Sequence, residues 1–163
     1  MNPAHLHLML NHLPVVGVPL VAALLCWALL RRSREIYRVA LGASVILAAL
    51  TYPVFLTGEP AEERVEDASW MRERLVHEHE ERAEAALIAV LVTGAMAAFG
   101  LWQTRGDRKP NFGMGGLTLA GLVVSTGLLA WTAQLGGPIR HDEIRAETTA
   151  TAPAAAQPRD NDD

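Results

Sequence analysis

Six histidines are the residues of this sequence best suited to bind a metal ion or a haem, and all of them lie outside its long apolar runs. They precede the first run, precede the third run and follow the fourth: His5, His7 and His12; His77 and His79; His141. Imidazole together with carboxylate suits iron, zinc or manganese, and two imidazoles alone suit a haem iron. The sequence therefore predicts a metal or haem site, provided that these segments meet in the fold.

Four apolar runs must position these histidines. A helix needs roughly 20 apolar residues to cross a hydrocarbon core of about 30 Å. We predict an all-α fold, an antiparallel four-helix transmembrane bundle that occupies residues 1–145, and a disordered tail over 146–163. The predicted spans are about 13–30, 37–58, 83–103 and 112–135.

Three shorter segments complete the prediction: a short amphipathic lead-in before the first span, a helical connector over 59–84, and a third helix that begins near Leu75. A soluble four-helix bundle is the alternative, but its helices would show a polar face, and residues 85–101 contain no charge. In the fourth span, small residues predict close helix contact: Gly116, Ala120, Ser125, Gly127 and Ala130.

The basic residues predict the orientation in the membrane. The first and third connectors hold these residues: Arg31, Arg32, Arg34 and Arg38; Arg105, Arg108 and Lys109. The excess of Lys and Arg on cytoplasmic loops places these connectors inside. Both termini and the acidic connector then face the periplasm, as expected for a multi-pass protein of a bacterial inner membrane. The net charge of −4 argues against nucleic acid as a partner.

Under this topology, all four helices bring possible ligands to one membrane face. The predicted metal ligands are His12, His79, His141, Glu59 and Glu80. The residues predicted to bind a haem cofactor are His7, His12 and His79. On its helix, His79 lies on the face that continues as apolar residues, whereas His77 shares a face with carboxylates, so His79 is the one expected to turn into the bundle.

Structural roles are predicted for two charged residues after the fourth span. Arg140 and Glu143 are expected to brace carboxylates of the connector, Glu59 or Glu63, because charges near a protein interior usually pair. The sequence contains no nucleophile elbow, phosphate loop, H-E-x-x-H or C-x-x-C-H motif, so no enzyme class is indicated. No charge lies deep within a span, which counts against a transport path.

Four segments, LNHLPVVG, LTGEPAEE, HEHEERAE and LGGPIRHDEIR, together resemble an uncharacterised group of small bacterial four-helix membrane proteins. They are more distantly similar to a membrane domain family of unknown function that opens with a His-Phe-Pro motif, where this chain has Leu13 in place of the Phe. The resemblance covers about residues 5–145 and implies possible haem or metal binding. It carries over a set of signature residues: His12, Glu59, His79, Gly136, Gly137 and His141.

Two functions remain open at this point. The first is a periplasmic-face His/Glu site for haem b or a transition metal ion (Fe, Zn, Cu or Mn), serving electron transfer or redox chemistry with a soluble periplasmic redox partner or beside a larger respiratory or photosynthetic complex. The alternative is a non-catalytic accessory subunit of such a membrane complex. Membrane lipid is an expected partner in both.

Overall fold

The computed structural model describes residues 2–106 and 108–145, and these form six α-helices and one turn of 3-10 helix. The helices are α1 (Pro3–Leu10), α2 (His12–Arg31), α3 (Arg34–Leu56), α4 (Gly58–Glu63), α5 (Glu73–Gln103) and α6 (Phe112–Arg140), and the 3-10 turn is Asp142–Ile144. The prediction of an all-α fold is confirmed. The predicted disordered tail over 146–163 lies outside the described residues.

Four of the helices form the bundle. Helix α3 packs against α2 and α5, and α6 packs against α5 and α2, so the four close into a ring. Short turns reverse the chain between α2 and α3 and between α5 and α6. Two of the four helices extend beyond the predicted spans: α5 begins at Glu73, ten residues before the apolar part, and α6 continues through Pro138 to Arg140.

The bundle exposes most of its apolar surface. Each of the four helical segments is long and apolar enough to cross a membrane, and in none is more than 39% of the most apolar window buried inside the protein. Large side chains such as Leu20, Ile46 and Val123 are more than half exposed on its outside. A soluble bundle would hide these side chains, whereas lipid chains cover them without cost. This distribution favours a multi-pass membrane protein.

Polar residues define the ends of the helices. The Ser33 hydroxyl accepts a hydrogen bond from the Ile36 amide at the start of α3, and the Asn111 side chain accepts one from the Met114 amide at the start of α6. Arg32 ends α2 with a left-handed backbone (φ 49°), which allows the reversal into α3. The connectors at this end are therefore short, well-capped turns.

Small residues allow the helices to approach closely. A Cβ placed on Gly94 would lie 2.3 Å from the Cβ of Ala48, and one on Gly121 would lie 2.6 Å from the Thr93 hydroxyl oxygen. Thr93 is buried, and its hydroxyl donates to the carbonyl of Ala89 one turn earlier. Glycine is required on α5 and α6 at these contacts, because any side chain would push the neighbouring helix away.

The contact face of α6 differs from the one expected. Ser125 is buried as predicted, but Ala120 and Ala130 are exposed, and a Cβ on Gly116 or Gly127 would meet nothing within 4 Å. The inward-facing glycines are instead Gly115 and Gly121. An uncharged helix carries no polar face in its sequence, so small residues by themselves do not reveal which side packs against the bundle.

The contact between Gly94 and Ala48 yields the first prediction. We expect Gly94→Ala to lower the free energy of unfolding by roughly 1–3 kcal/mol, because the added methyl overpacks the α3–α5 contact. The matched variant Gly127→Ala should be neutral or stabilising by up to about 1 kcal/mol, since alanine favours helix and this position is open. Thermal unfolding in detergent compares the two, and equal midpoints would contradict this account of the packing.

Candidate functional site

The histidine-rich end of the bundle is the strongest candidate for a site. It contains the start of α2, the ends of α3 and α6, and the start of α5, and α1 covers part of it by packing against α4 and α2. Residues from four different helices therefore meet at one end. His7 on α1 and His79 on α5 are the two histidines that are substantially withdrawn from solvent there.

His79 is held by the backbone of α6. Its Nδ1 lies 3.0 Å from the carbonyl oxygen of Thr132, and a carbonyl can only accept, so Nδ1 carries the proton and donates. The ring packs against Gly136, where a Cβ would lie 3.1 Å from the His79 Cε1 atom. Gly136 thus leaves the space that the imidazole uses to reach Thr132, which gives a physical role to one of the signature glycines.

His7 is held in the same way by Thr57. The Thr57 hydroxyl donates to the Val54 carbonyl at 2.6 Å, so its oxygen is left to accept from the His7 Nδ1, which lies 2.9 Å away. His7 therefore also has its proton on Nδ1. Thr57 lies between the end of α3 and the start of α4, and it positions His7, which belongs to the N-terminal helix α1.

The two imidazoles are held through the same atom. Nδ1 of His7 bonds to Thr57 and Nδ1 of His79 to Thr132, and His7 has a further hydrogen bond to the Val54 backbone. Metal-binding histidines characteristically donate one ring N–H to a protein acceptor and present the other nitrogen as a ligand. Both side chains match that pattern, and their tautomers follow from their acceptors.

The electrostatic environment keeps both rings neutral. The two histidines lie outside the apolar spans 13–30 and 83–103. Burial lowers the pKa of His79, with smaller opposing effects from the Thr132 carbonyl and the charge of Glu80. Burial also lowers the pKa of His7, and positive charge on His79 lowers it further, which shows that the two rings are electrostatically coupled. A neutral imidazole is the form that can bind a metal.

A pair of carboxyl groups accompanies the histidines. Glu62 on α4 and Glu80 on α5 are joined by a side-chain hydrogen bond, which requires a proton on one of them. Burial raises the pKa of Glu62, and the bond to Glu80 and the charges of Glu80, Glu66 and Glu59 raise it further. Of the predicted carboxylate ligands, Glu80 is thus engaged by Glu62, and Glu59 is exposed.

The other predicted histidines are exposed and have partners of their own. His12 is exposed, and its Nδ1 bonds to the Leu8 carbonyl at 2.8 Å. His141 is exposed and bonds to Glu143 at 2.8 Å. His77 is exposed and pairs with Glu81, as its position on the acidic face of α5 indicates. Within the described part of the chain, no three His, Cys, Asp or Glu side chains are grouped to hold a metal ion.

Trp70 and two arginines fasten the connector to the end of α6. The guanidinium of Arg140 lies over the Trp70 ring at 4.8 Å from its centre, in place of the predicted ion pair with Glu59 or Glu63. Arg145 donates to the carbonyls of Trp70, Pro138 and Ile139. A Cβ on Gly137 would lie 3.2 Å from Ile144, so this glycine allows the 3-10 turn to fold back on α6.

Several site residues were not foreseen: Thr57, Thr132 and Arg145. The sequence did contain a signal for Thr57, because this residue belongs to the TGEP segment, one of the motifs that carry the family resemblance. Thr132 contributes only a backbone carbonyl to His79, so its side-chain identity carries no information about the role.

Comparison with protein-family models, curated proteins and solved structures finds no match to this chain. The family resemblance of its motifs stays a prediction, and the function has to be argued from the site itself.

The lowered pKa values of the two histidines predict how stability depends on pH. The unfolded chain takes up protons near the usual histidine value of about 6.5, whereas the folded site resists protonation. The contribution of the two histidines to the free energy of unfolding is therefore fully present above that pH and is lost as the pH falls below it. The raised pKa of Glu62 acts in the opposite direction, because its contribution is lost as the pH rises above the usual glutamate range.

We expect the thermal midpoint of the protein in detergent to decrease when the pH is lowered from 7.5 to 5.5. The decrease should be smaller in His79→Gln. Exposed His77 supplies the matched control, His77→Gln, which should show the wild-type drop. Measuring both in a Glu62→Gln background removes the opposing carboxyl. A drop that is the same in all of these variants would show that His79 is not the source.

Proposed function

We propose that His7 and His79 form a two-histidine centre for a haem iron or a transition metal ion at the outer end of a membrane bundle. One observation carries the proposal: the protein holds each ring by a hydrogen bond at Nδ1, the arrangement in which a histidine presents Nε2 as a metal ligand.

The number of available ligands suits either cofactor. A porphyrin supplies four ligands to a haem iron, so two imidazoles complete its coordination. An iron, copper or zinc ion bound by the same two nitrogens would keep positions for water or an external molecule, as open catalytic sites do. A haem iron, or an iron or copper ion, at such an open site would support redox chemistry or electron transfer, whereas zinc has no redox chemistry. A purely structural metal is normally enclosed by four protein ligands.

The position of the pair suits exchange with a partner outside the hydrocarbon. His7 belongs to α1, which precedes the first apolar span, and His79 lies within the first two turns of α5, before its apolar part begins. A centre there lies close to the water interface. It would be within reach of a soluble periplasmic redox partner, or of a subunit of a respiratory or photosynthetic complex, in the orientation that the basic connectors favour.

Optical and elemental analysis of the purified protein tests the proposal. We expect a Soret band or a stoichiometric metal in the wild type, and its loss in His7→Ala and His79→Ala. Thr57→Val removes the acceptor for His7 and should weaken binding by about 10–100-fold, the usual cost of losing such a support, while Thr57→Ser should restore it.

Exposed histidines supply the controls for this experiment. His77→Ala lies on the same helix as His79 and His5→Ala on the same helix as His7, and both should bind as the wild type does. Protein that contains neither haem nor metal after expression in iron-, copper- and zinc-replete cells, and takes up none when it is added, would refute the centre.

The orientation has its own test. Single cysteines replacing Arg34 and His77, in a Cys26→Ser background, should label from opposite sides of the membrane in intact cells, His77→Cys from outside. If both positions were labelled from the same side, the two ends of the bundle would not lie on opposite sides of the membrane. If only Arg34→Cys were labelled from outside, the orientation would be the reverse of the one predicted.

A second candidate function, an accessory subunit, is supported by a different observation. Gly116, Ala120, Gly127 and Ala130 leave one side of α6 smooth and open toward the membrane, and small residues of this kind support packing against further helices. Copurification with a larger complex, together with wild-type complex levels in His7→Ala and His79→Ala, would favour this function.

A further inference from the structure

The end of the bundle opposite the histidines contains an open groove. It is lined by Arg34, Glu35 and Arg38 at the start of α3 and by Gly106 in the turn after α5, and its volume is about 540 Å³. Arg34 and Arg38 are four residues apart on one helix, so their side chains lie on the same face. The groove is therefore bordered by two guanidinium groups that can act together.

The surroundings of the groove are strongly basic. Seven cationic residues occur in the two connectors at this end: Arg31, Arg32, Arg34, Arg38, Arg105, Arg108 and Lys109. The sequence places two acidic residues among them, Glu35 and Asp107, and the Glu35 carboxylate accepts from the Ser33 hydroxyl. Across residues 2–106 and 108–145, the ion pairs formed all lie at the other end of the bundle, on residues 74–81 and 141–143.

The guanidinium of Arg34 is partly engaged. One of its terminal nitrogens donates to the Gly106 carbonyl, which ties the start of α3 to the α5–α6 turn. Its Nε atom is buried and has no hydrogen-bond partner among the described residues. A ligand oxygen in the groove would therefore bind the accessible guanidinium nitrogens of Arg34 and Arg38 rather than this buried one.

Aromatic side chains place the groove at the depth of lipid head groups. Trp27 and Trp102 lie near the same ends of α2 and α5 and are 53% and 50% exposed. Indole rings settle at the membrane interface, and the guanidinium of Arg31 covers the Trp27 ring at 5.5 Å. The groove therefore opens beside lipid phosphates rather than deep in the aqueous phase.

We propose that this groove binds the phosphate of an anionic phospholipid head group, with Arg34 and Arg38 as its ligands. Guanidinium groups bind phosphate oxygens through paired hydrogen bonds, and basic residues at this depth attract anionic lipid. Glu35 lines one side of the groove and disfavours an anion there, but the surrounding cations outweigh it. The proposal is independent of the histidine centre.

Titration of the full-length, delipidated protein in detergent tests the site by native mass spectrometry. We expect phosphatidylglycerol to bind at least tenfold more tightly than phosphatidylcholine. Arg38 makes no hydrogen bond or ion pair within residues 2–106 and 108–145, so Arg38→Gln leaves the contacts described there intact. It should weaken phosphatidylglycerol binding about fivefold, and Arg34→Gln with Arg38→Gln should weaken it further.

The double variant Arg105→Gln and Arg108→Gln is the matched control, because it removes the same charge outside the groove. It should change binding less than twofold. Equal weakening in the control, unchanged binding in Arg38→Gln, or equal affinity for phosphatidylcholine would each overturn the proposal. Inorganic phosphate serves as a separate probe, and saturation by it at the affinity of the lipid would show an ion site rather than a lipid site.

Discussion

The packing of α5 against α6 is the contact on which the candidate site depends. Gly121 lets Thr93 of α5 approach the backbone of α6 in the middle of the bundle, and Gly136 lets the His79 ring do the same at its end. Because the helices are this close, the imidazole reaches the Thr132 carbonyl and takes a defined tautomer. A wider spacing would leave His79 as an ordinary polar residue at the membrane surface.

The second histidine enters through a different part of the chain. Helix α1 lies before the first apolar helix, and its packing against α4 brings His7 to Thr57 and the neighbourhood of His79. The short α4 also carries Glu62 to Glu80. The histidine-rich end is thus assembled by the short helices α1 and α4, laid over the ends of the four long helices.

The two ends of the bundle differ in chemistry for related reasons. At the histidine-rich end, His7 and His79 are partly buried and bonded to the Thr57 hydroxyl and the Thr132 carbonyl, which suits a site of neutral imidazoles. At the other end, the basic residues stay near the surface beside exposed tryptophans and form no ion pair among the described residues, which suits contact with phosphate. The apolar middle contains buried Ser and Thr hydroxyls that bond within their own helices, such as Ser44 and Thr93.

The sequence by itself determined the four long helices, because runs of about 20 uncharged residues leave few alternatives in length or class. It also indicated that His79, rather than His77, turns inward, because the acidic neighbours of His77 mark the solvent face. It could not show which side of α6 packs, since a helix without charges has no polar face, and the expected Gly116 and Gly127 face outward.

Only the tertiary structure decided which histidines meet. His12 stands directly before the first apolar run and was the natural partner by depth, yet its ring bonds to Leu8 and stays exposed, whereas His7 lies nearer His79. The physical reason is that the packing of α1 against α4 positions His7, and the backbone carbonyl of Thr132 positions His79. Neither the path of a short helix nor a main-chain acceptor is encoded by the type of any single residue.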